Sequence, residues 1–185
     1  MDNGASSYRR FLDGDESGIG EIVKEYKDGL IFYLDSLVRN VHTAEDLAVD
    51  TFVKLVAKKP RFHGKSSFKT WLYTIGRNVA MDWLRKQGRI SPTSLDEVAN
   101  FLPDEADLER DYLRDEDKIA VHRALRRLKP EYSQVLYLTF FEDVSNGEVA
   151  VVMKKTKSQV EKLVWRAKQA FKEELNKEGI IYEKC

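Results

Sequence analysis

Apolar residues at positions 19, 22, 23, 26, 30, 34 and 37 recur close to the helical repeat, which predicts a first helix, or a pair of helices, between Ile19 and Val38. Thr43-Ala44-Glu45-Asp46 places a threonine at an N-cap with an acid three residues on. This capping-box arrangement predicts a second helix running to about Lys58, with Phe52, Leu55 and Val56 on its core side. From Pro60 to Ser67, with Gly64 inside, the periodicity stops and a loop is expected. It resumes from Trp71 to Lys86. There Leu72, Ile75, Gly76, Val79 and Trp83 follow the spacing of a buried stripe, while Arg77, Asn78, Asp82 and Arg85 fall on polar faces.

The pattern returns near the C-terminal end. Lys129-Pro130-Glu131 supplies a proline suited to a first helical turn, followed by the apolar Val135, Leu136, Leu138 and Phe140. Two further capping boxes, Ser145-Asn146-Gly147-Glu148 and Thr156-Lys157-Ser158-Gln159, start helices eleven positions apart with a tight turn at about Lys154-Lys155. A short helix, a turn and a longer helix have the spacing of a helix-turn-helix, whose second helix lies in the major groove of DNA. In that second helix Val160, Leu163, Val164, Ala167 and Phe171 form the core stripe, and Lys157, Ser158, Glu161, Lys162, Trp165 and Lys168 point outward. Strand signals are weak throughout, so the expected fold is all-α.

Composition divides this helical chain in two. Its 185 residues, 42% of them hydrophobic, suffice for one large or two small domains. The formal net charge of zero conceals an asymmetry: residues 1–87 hold 14 basic and 12 acidic side chains, 88–117 hold 3 and 10, and 118–185 hold 14 and 9. Two basic-leaning blocks around an acidic, proline-containing stretch suggest two small helical domains that face nucleic acid, joined by a flexible acidic linker. The expected organisation is an N-terminal extension (1–19), a first domain (20–87), the linker (88–117), a second domain (118–176) and a tail (177–185). Within the linker, helix is expected near Leu108 to Ile119. The linker's charge also raises the hypothesis that it shields the basic faces of a chain whose two domains lie against each other.

The candidate chemistry is that of binding rather than catalysis. From Lys54 to Arg89, ten lysines and arginines face the single acid Asp82, with Phe62, Phe68 and Trp71 interleaved, a combination suited to exposed bases beside phosphates. Phe68 and Trp71, at a helix start, are read as core. In the helix-turn-helix, the first turn of the second helix offers amides to phosphate and its lysines raise affinity without choosing sequence. Glu161 can choose, since a carboxylate in the groove accepts from a cytosine amino group. The plainer account pairs Glu161 with Lys157 or Lys162 on its own surface. Trp165 on a polar face calls for a partner surface or a base edge. His42, His63 and His122 are scattered and there is no glycine-rich phosphate loop, so neither an enzyme nor a cofactor is expected. One cysteine, Cys185, permits no intrachain disulfide and no cysteine-rich metal site. With no signal-peptide-like start and no membrane-length apolar run, a cytoplasmic protein without membrane insertion is expected.

Ala44-Glu45-Asp46-Leu47, Phe52, Trp71-Leu72, Arg77-Asn78, Asp82 and Leu84-Arg85 occur in the first block. Leu125, Leu128-Lys129-Pro130, Gly147-Glu148-Val149-Ala150, Val160 and Arg166-Ala167 occur in the second. In order and spacing, nearly the whole chain resembles an RNA polymerase sigma factor of the extracytoplasmic-function (ECF) branch of the sigma-70 family. The resemblance implies that the first domain docks on the clamp helices of the β′ subunit of core RNA polymerase and opens the −10 element of promoter DNA. The second would dock on the β flap and read −35 duplex. It implies a polymerase-facing surface at Glu45, Asp46, Leu47 and Asp50. It implies −10 contacts from Arg61, Phe62, His63, Lys65, Ser66, Ser67, Arg77 and Asn78, the loop taking a flipped base with Phe62 as its wall. It adds Arg166 to Lys157, Ser158, Glu161, Lys162 and Trp165 as −35 contacts, and it implies an anti-sigma factor as partner.

Two departures stand out. Val49 replaces a glutamine frequent in the family after Glu45-Asp46-Leu47, and Glu161 stands where a basic residue is frequent in the recognition helix. For Glu45, Asp46 and Asp50 helix-dipole compensation is the plainer account, with an Asp50 to Lys54 pair. The rival class is a stand-alone helix-turn-helix regulator that binds duplex DNA as a dimer. It leaves the basic aromatic loop without purpose, and the chain shows no coiled-coil seam.

Overall fold

The computed structural model describes residues 3–88 and 116–177, and every regular element among them is helical. The acidic stretch 89–115, which holds most of the expected linker, and the tail 178–185 lie outside the described residues. Four helices make the first domain: α1 (Asn3–Leu12), α2 (Ser17–Val38), α3 (Val41–Lys58) and α4 (Phe68–Lys86). α1 falls within the segment read above as an extension. Gly4, Ser7, Tyr8 and Phe11 give it one buried side, packed on α2 and α4. A Cβ on Gly18 would meet the Ser7 carbonyl oxygen at 2.2 Å, so the α1 and α2 backbones touch there.

α3 starts earlier than its expected cap. Asn40, in an extended conformation, is the N-cap, and its Oδ1 accepts from the Thr43 N–H at 2.8 Å. The reason lies one residue back. Arg39 ends α2 in the left-handed region (φ 58°), which turns the chain sharply and puts Val41 into the core rather than into a connection. Val56, expected inside, is exposed, as are Val49 and Val53. The buried stripe of α4 is also rotated from the expected one. Leu72 and Gly76 lie within it, but Tyr73, Arg77, Ala80, Met81 and Leu84 complete it, while Ile75, Val79 and Trp83 are only partly covered.

The second domain contains α5 (Glu116–Arg127), α6 (Pro130–Leu136), a π-helical turn (Tyr137–Phe141), α7 (Asn146–Met153) and α8 (Lys157–Lys177). Pro130 occupies the first turn of α6 as expected. The π-helical turn swings the register: Tyr137 and Leu138 are buried but Phe140 and Phe141 face out, against the expectation that Phe140 is core. Phe140 instead lies 4.7 Å under the Lys168 ammonium, and Phe141 stacks on Tyr137. Ser145 Oγ accepts from the Glu148 N–H, and Lys154 supplies the left-handed turn (φ 55°) between α7 and α8. Thr156 and Gln159 cap α8 reciprocally, at 2.8 and 3.2 Å.

The two domains pack directly, α2 on α6 and the π-helical turn, and α4 on α7. Along the last turns of α2, Leu30, Ile31, Tyr33, Leu34, Asp35, Ser36, Leu37 and Val38 are all buried, because this helix lies between two cores. Its charges are partnered across the boundary. The Arg39 guanidinium donates to the carbonyls of Leu125 (3.3 Å), Arg126 (2.7 Å) and Leu128 (2.6 Å), the open end of α5. Arg126 in turn pairs with Asp35 at 3.2 Å. Burial lowers the Arg39 pKa to about 10, leaving it charged at neutral pH. Burial pushes Asp35 up, while Arg126 and Arg39 pull it back.

Two expectations follow from this packing. Gly18→Ala lowers stability by about 1–3 kcal/mol through the backbone clash, whereas Gly20→Ala, on the same helix with nothing within 4 Å of its Cβ, raises it by about 1 kcal/mol. Urea midpoints of the two variants moving the same way would contradict this. His122 of α5 rests on Phe32 of α2, ring centroids 4.7 Å apart. Burial, with the neighbouring Arg126 that Asp35 holds, lowers its pKa from 6.5 to about 4. The unfolded chain therefore binds the extra proton between those values, so stability is complete above pH 6.5 and falls as the pH drops toward 4. In melting curves His122→Phe should lose less midpoint between pH 7 and pH 5 than the wild-type chain; parallel curves would exclude His122 as the cause.

Candidate nucleic-acid and polymerase interfaces

The basic loop is held by aromatic packing rather than left to swing. The Tyr8 hydroxyl donates to the Pro60 carbonyl at 2.7 Å, and burial raises that phenol's pKa to about 12, so it remains a donor. Phe62 is half-buried. It meets Phe68 edge-on at 5.6 Å and Trp71 at 5.2 Å, and Tyr8 closes the cluster from α1. Phe68 is core, as expected, and Trp71 is partly covered. Arg61, His63 and Lys65 are exposed along the loop, and Ser66 and Ser67 are half-buried at its end. Ser67 is the N-cap of α4, accepting from the Thr70 N–H at 3.2 Å.

The two α4 residues differ from each other. Asn78 is half-exposed, but Arg77 is only 5% exposed and is turned into the domain toward Tyr33. The polar face expected for Arg77 is therefore corrected: the rotation of the stripe carries it inside. Leu47 is likewise buried. At 3% exposure most of its side chain belongs to the core. It forms the floor of a groove of about 340 Å³ between α3 and α4, with Asp50, Val53, Val79 and Trp83 around it. Glu45 is half-exposed and Asp46 and Asp50 are exposed on the same helix, beside the outward valines 49, 53 and 56. His42 lies 3.5 Å from Glu45.

On α8 the structure brings together all six residues expected there. Lys157, Ser158, Glu161, Lys162, Trp165 and Arg166 are exposed over one half of the helix surface, and Trp165 is 66% accessible. Val160, Leu163 and Ala167 fill the opposite side, with Val164 and Phe171 partly covered. The reciprocal cap fixes the first turn that would approach phosphate.

One set of polar contacts has no counterpart in the sequence pattern. Glu148, third residue of α7, sends Oε1 to the Ser67 N–H (3.3 Å) and the Thr70 hydroxyl (3.1 Å), while its Oε2 accepts from the Ser145 hydroxyl at 2.9 Å. Burial pushes its carboxyl up, but the hydrogen bonds from Ser67, Ser145 and Thr70 outweigh that and hold it below its ordinary value. Lys69 pairs with Glu142 at 3.1 Å and also donates to its carbonyl. Among the described residues no cluster of histidine, cysteine, aspartate and glutamate could hold a metal ion, and no helix is long and apolar enough to cross a membrane.

Family models of Sigma-70 region 2 and Sigma-70, region 4 match residues 22–90 and 118–171. The RNA polymerase sigma-H factor of Pseudomonas aeruginosa is 31% identical over 169 residues, covering 87% of this chain and 88% of its own. The chain belongs to the sigma-70 family of RNA polymerase sigma factors. Within it, the chain falls in the ECF branch, as the ECF sigma factor SigW of Bacillus subtilis illustrates at 26% identity over 88% of this chain and 91% of its own. The sigma factor RpoE of Bartonella quintana, solved in complex with the anti-sigma factor NepR, matches at 25% identity and a TM-score of 0.63 over 85% of this chain and 96% of that one. An ECF sigma factor is a transcription-initiation factor and not an enzyme. A region 2 match across the first domain leaves the stand-alone regulator unsupported.

Proposed function

We propose that this ECF sigma factor engages core RNA polymerase through α3 and reads promoter DNA with two separate surfaces. The first module is residues 20–87 extended by α1, and the second is 118–176. On α3, Glu45, Asp46 and Asp50 present charge beside the valine row and the groove over Leu47, and an apolar patch rimmed by polar groups suits the β′ clamp helices. In the loop, Arg61, His63 and Lys65 attract the phosphates of a melted −10 strand. Phe62, Ser66 and Ser67 with Asn78 line the place where an extruded base would sit. Arg77 serves by holding α4 from inside. The second domain docks on the β flap and lays α8 in the −35 major groove, where the lysines and Arg166 set affinity and Glu161 sets preference.

What carries this reading is the exposed half of α8 with its six residues, backed by a buried stripe and started by a reciprocal cap, on a chain that also carries sigma region 2. An anti-sigma factor belongs among the partners, since the RpoE relative was solved with one. The place of action is the cytoplasm, where core polymerase and promoter DNA are found.

Co-elution with core RNA polymerase lacking any sigma factor tests the reading. The wild-type chain should co-elute stoichiometrically and Asp46→Arg should not. A folded chain that binds duplex DNA but never core would refute the polymerase role. Glu161→Arg should shift −35 preference across a randomised library, typically by about 1–3 kcal/mol at one base position, with core binding unchanged. An identical preference profile would remove Glu161 from the readout.

A further inference from the structure

Pro60 opens the basic loop, and a proline ring holds φ at about −65°. The direction in which the chain leaves this residue therefore depends on ψ alone. So does the plane of the next peptide unit, which carries the Pro60 carbonyl and the Arg61 N–H together. That plane is pinned by a residue 52 positions away: the Tyr8 hydroxyl of α1 donates to the Pro60 carbonyl at 2.7 Å. The residue before Pro60 is held by the same helix. Lys59 lies in the left-handed region (φ 42°), with its ammonium 5.1 Å from the centroid of the Phe11 ring. Tyr8 and Phe11 are three positions apart on the buried side of α1. One helix face thus sets both residues from which the loop departs.

The Tyr8 ring reaches the far side of the same loop. Phe62 rests on Phe68 and Trp71, at 5.6 and 5.2 Å between centroids. Tyr8 packs on the same two rings, also at 5.6 and 5.2 Å. Trp71 therefore meets both Phe62 and Tyr8, so the aromatic wall of the loop is backed by α1. This helix is itself fixed. Gly4 lets it approach the Phe68 ring, which a Cβ would strike, and the Ser7 hydroxyl donates to Glu21 of α2 at 2.6 Å. The match to Sigma-70 region 2 begins at residue 22, after α1, so region 2 as such assigns this helix no task.

We infer that Tyr8 is a positioning residue for base readout: it pre-sets the peptide between Pro60 and Arg61 and the Phe62 wall, so that an extruded base meets a loop already shaped. The inference rests on the reading of this loop as the −10 contact. A loop ordered beforehand has little conformational entropy left to lose at the moment of contact. A fixed wall also discriminates by shape, whereas a wall that swings accepts any base that stacks, since every base has a π-face. Tyr8 is 1% exposed and touches no DNA; it acts through Pro60 and Trp71. A ring that merely filled the core would do so equally well without its hydroxyl. Removing that one oxygen therefore separates a positioning role from a packing role.

The test uses holoenzyme assembled from core RNA polymerase and the full chain, selecting from a pool of random-sequence single-stranded DNA 20-mers. Wild type is compared with Tyr8→Phe, which keeps the ring and removes the hydroxyl, and with Phe62→Ala, which removes the wall. In the aligned selected strands wild type should prefer one base at some position by about tenfold or more. Phe62→Ala should abolish that preference, and Tyr8→Phe should reduce it by about threefold or more. Co-elution of Tyr8→Phe with core, and its profile on a duplex library randomised at −35, should match wild type. Full preference in Tyr8→Phe beside its loss in Phe62→Ala would overturn the positioning role and keep the loop reading. No preference in wild type, or none lost in Phe62→Ala, would remove the loop reading and the role with it. Equal losses of −10 and −35 selectivity in Tyr8→Phe would reduce Tyr8 to a packing residue. Should Tyr8→Phe melt early, Phe11→Leu, which releases Lys59 and leaves the hydroxyl in place, should lower the same preference, and an unchanged value there would overturn α1 as the support of the loop.

Discussion

Arg39 and Asp35 are buried ionisable groups and Arg126 is largely covered, and the buried pair is tolerated because Arg126 and the end of α5 are in place to partner it. Truncating one member of such a set strands the rest, typically at about 3–5 kcal/mol. That makes the domain boundary close to all-or-none: it closes with every partner present or it does not close. The left-handed backbone at Arg39 does a second job, since it sets the turn into α3 and with it the placement of the groove over Leu47. A single residue thus links the orientation of α3, which we propose faces polymerase, to the docking of the second domain.

Legibility in the sequence followed the range of the interactions. The caps of α7 and α8 and the proline of α6 are contacts three residues apart or less, and they could be read directly from Ser145, Thr156 and Pro130. The α8 stripe and its exposed half were equally clear, because that helix is buried on one side only. The α4 stripe was read at a slant because Tyr73 and Arg77 answer to α2, not to a simple two-sided environment. The start of α3 was missed for a related reason: its cap depends on a backbone reversal at Arg39, a residue with no local propensity for it.

The interdomain contacts carried a signal that periodicity alone does not weigh. From Leu30 to Val38 the chain is apolar on nearly every face, with Asp35 in the middle, and Arg39 follows. A helix buried all round requires two neighbours, and a charge inside it requires a partner from one of them. Which partner could not be read, because Arg39 and Leu128 are 89 residues apart and Ser67 and Glu148 are 81 apart. The two surfaces proposed to face nucleic acid also contrast in build. The α8 face is a rigid helix with long side chains extended into solvent, while the loop is steadied by Tyr8 and the ring cluster around Phe62, so α1 supports a surface distant from it in sequence.

The same separation has a meaning during synthesis. At about 5–20 residues per second, a ribosome that has just released Arg39 needs about 4–18 s more before Leu128 follows it out. Through that interval the first domain can fold with α4 uncapped by Glu148 and the guanidinium of Arg39 still in water. Every nascent copy therefore completes its first domain before the contacts from Leu128 and Glu148 can form.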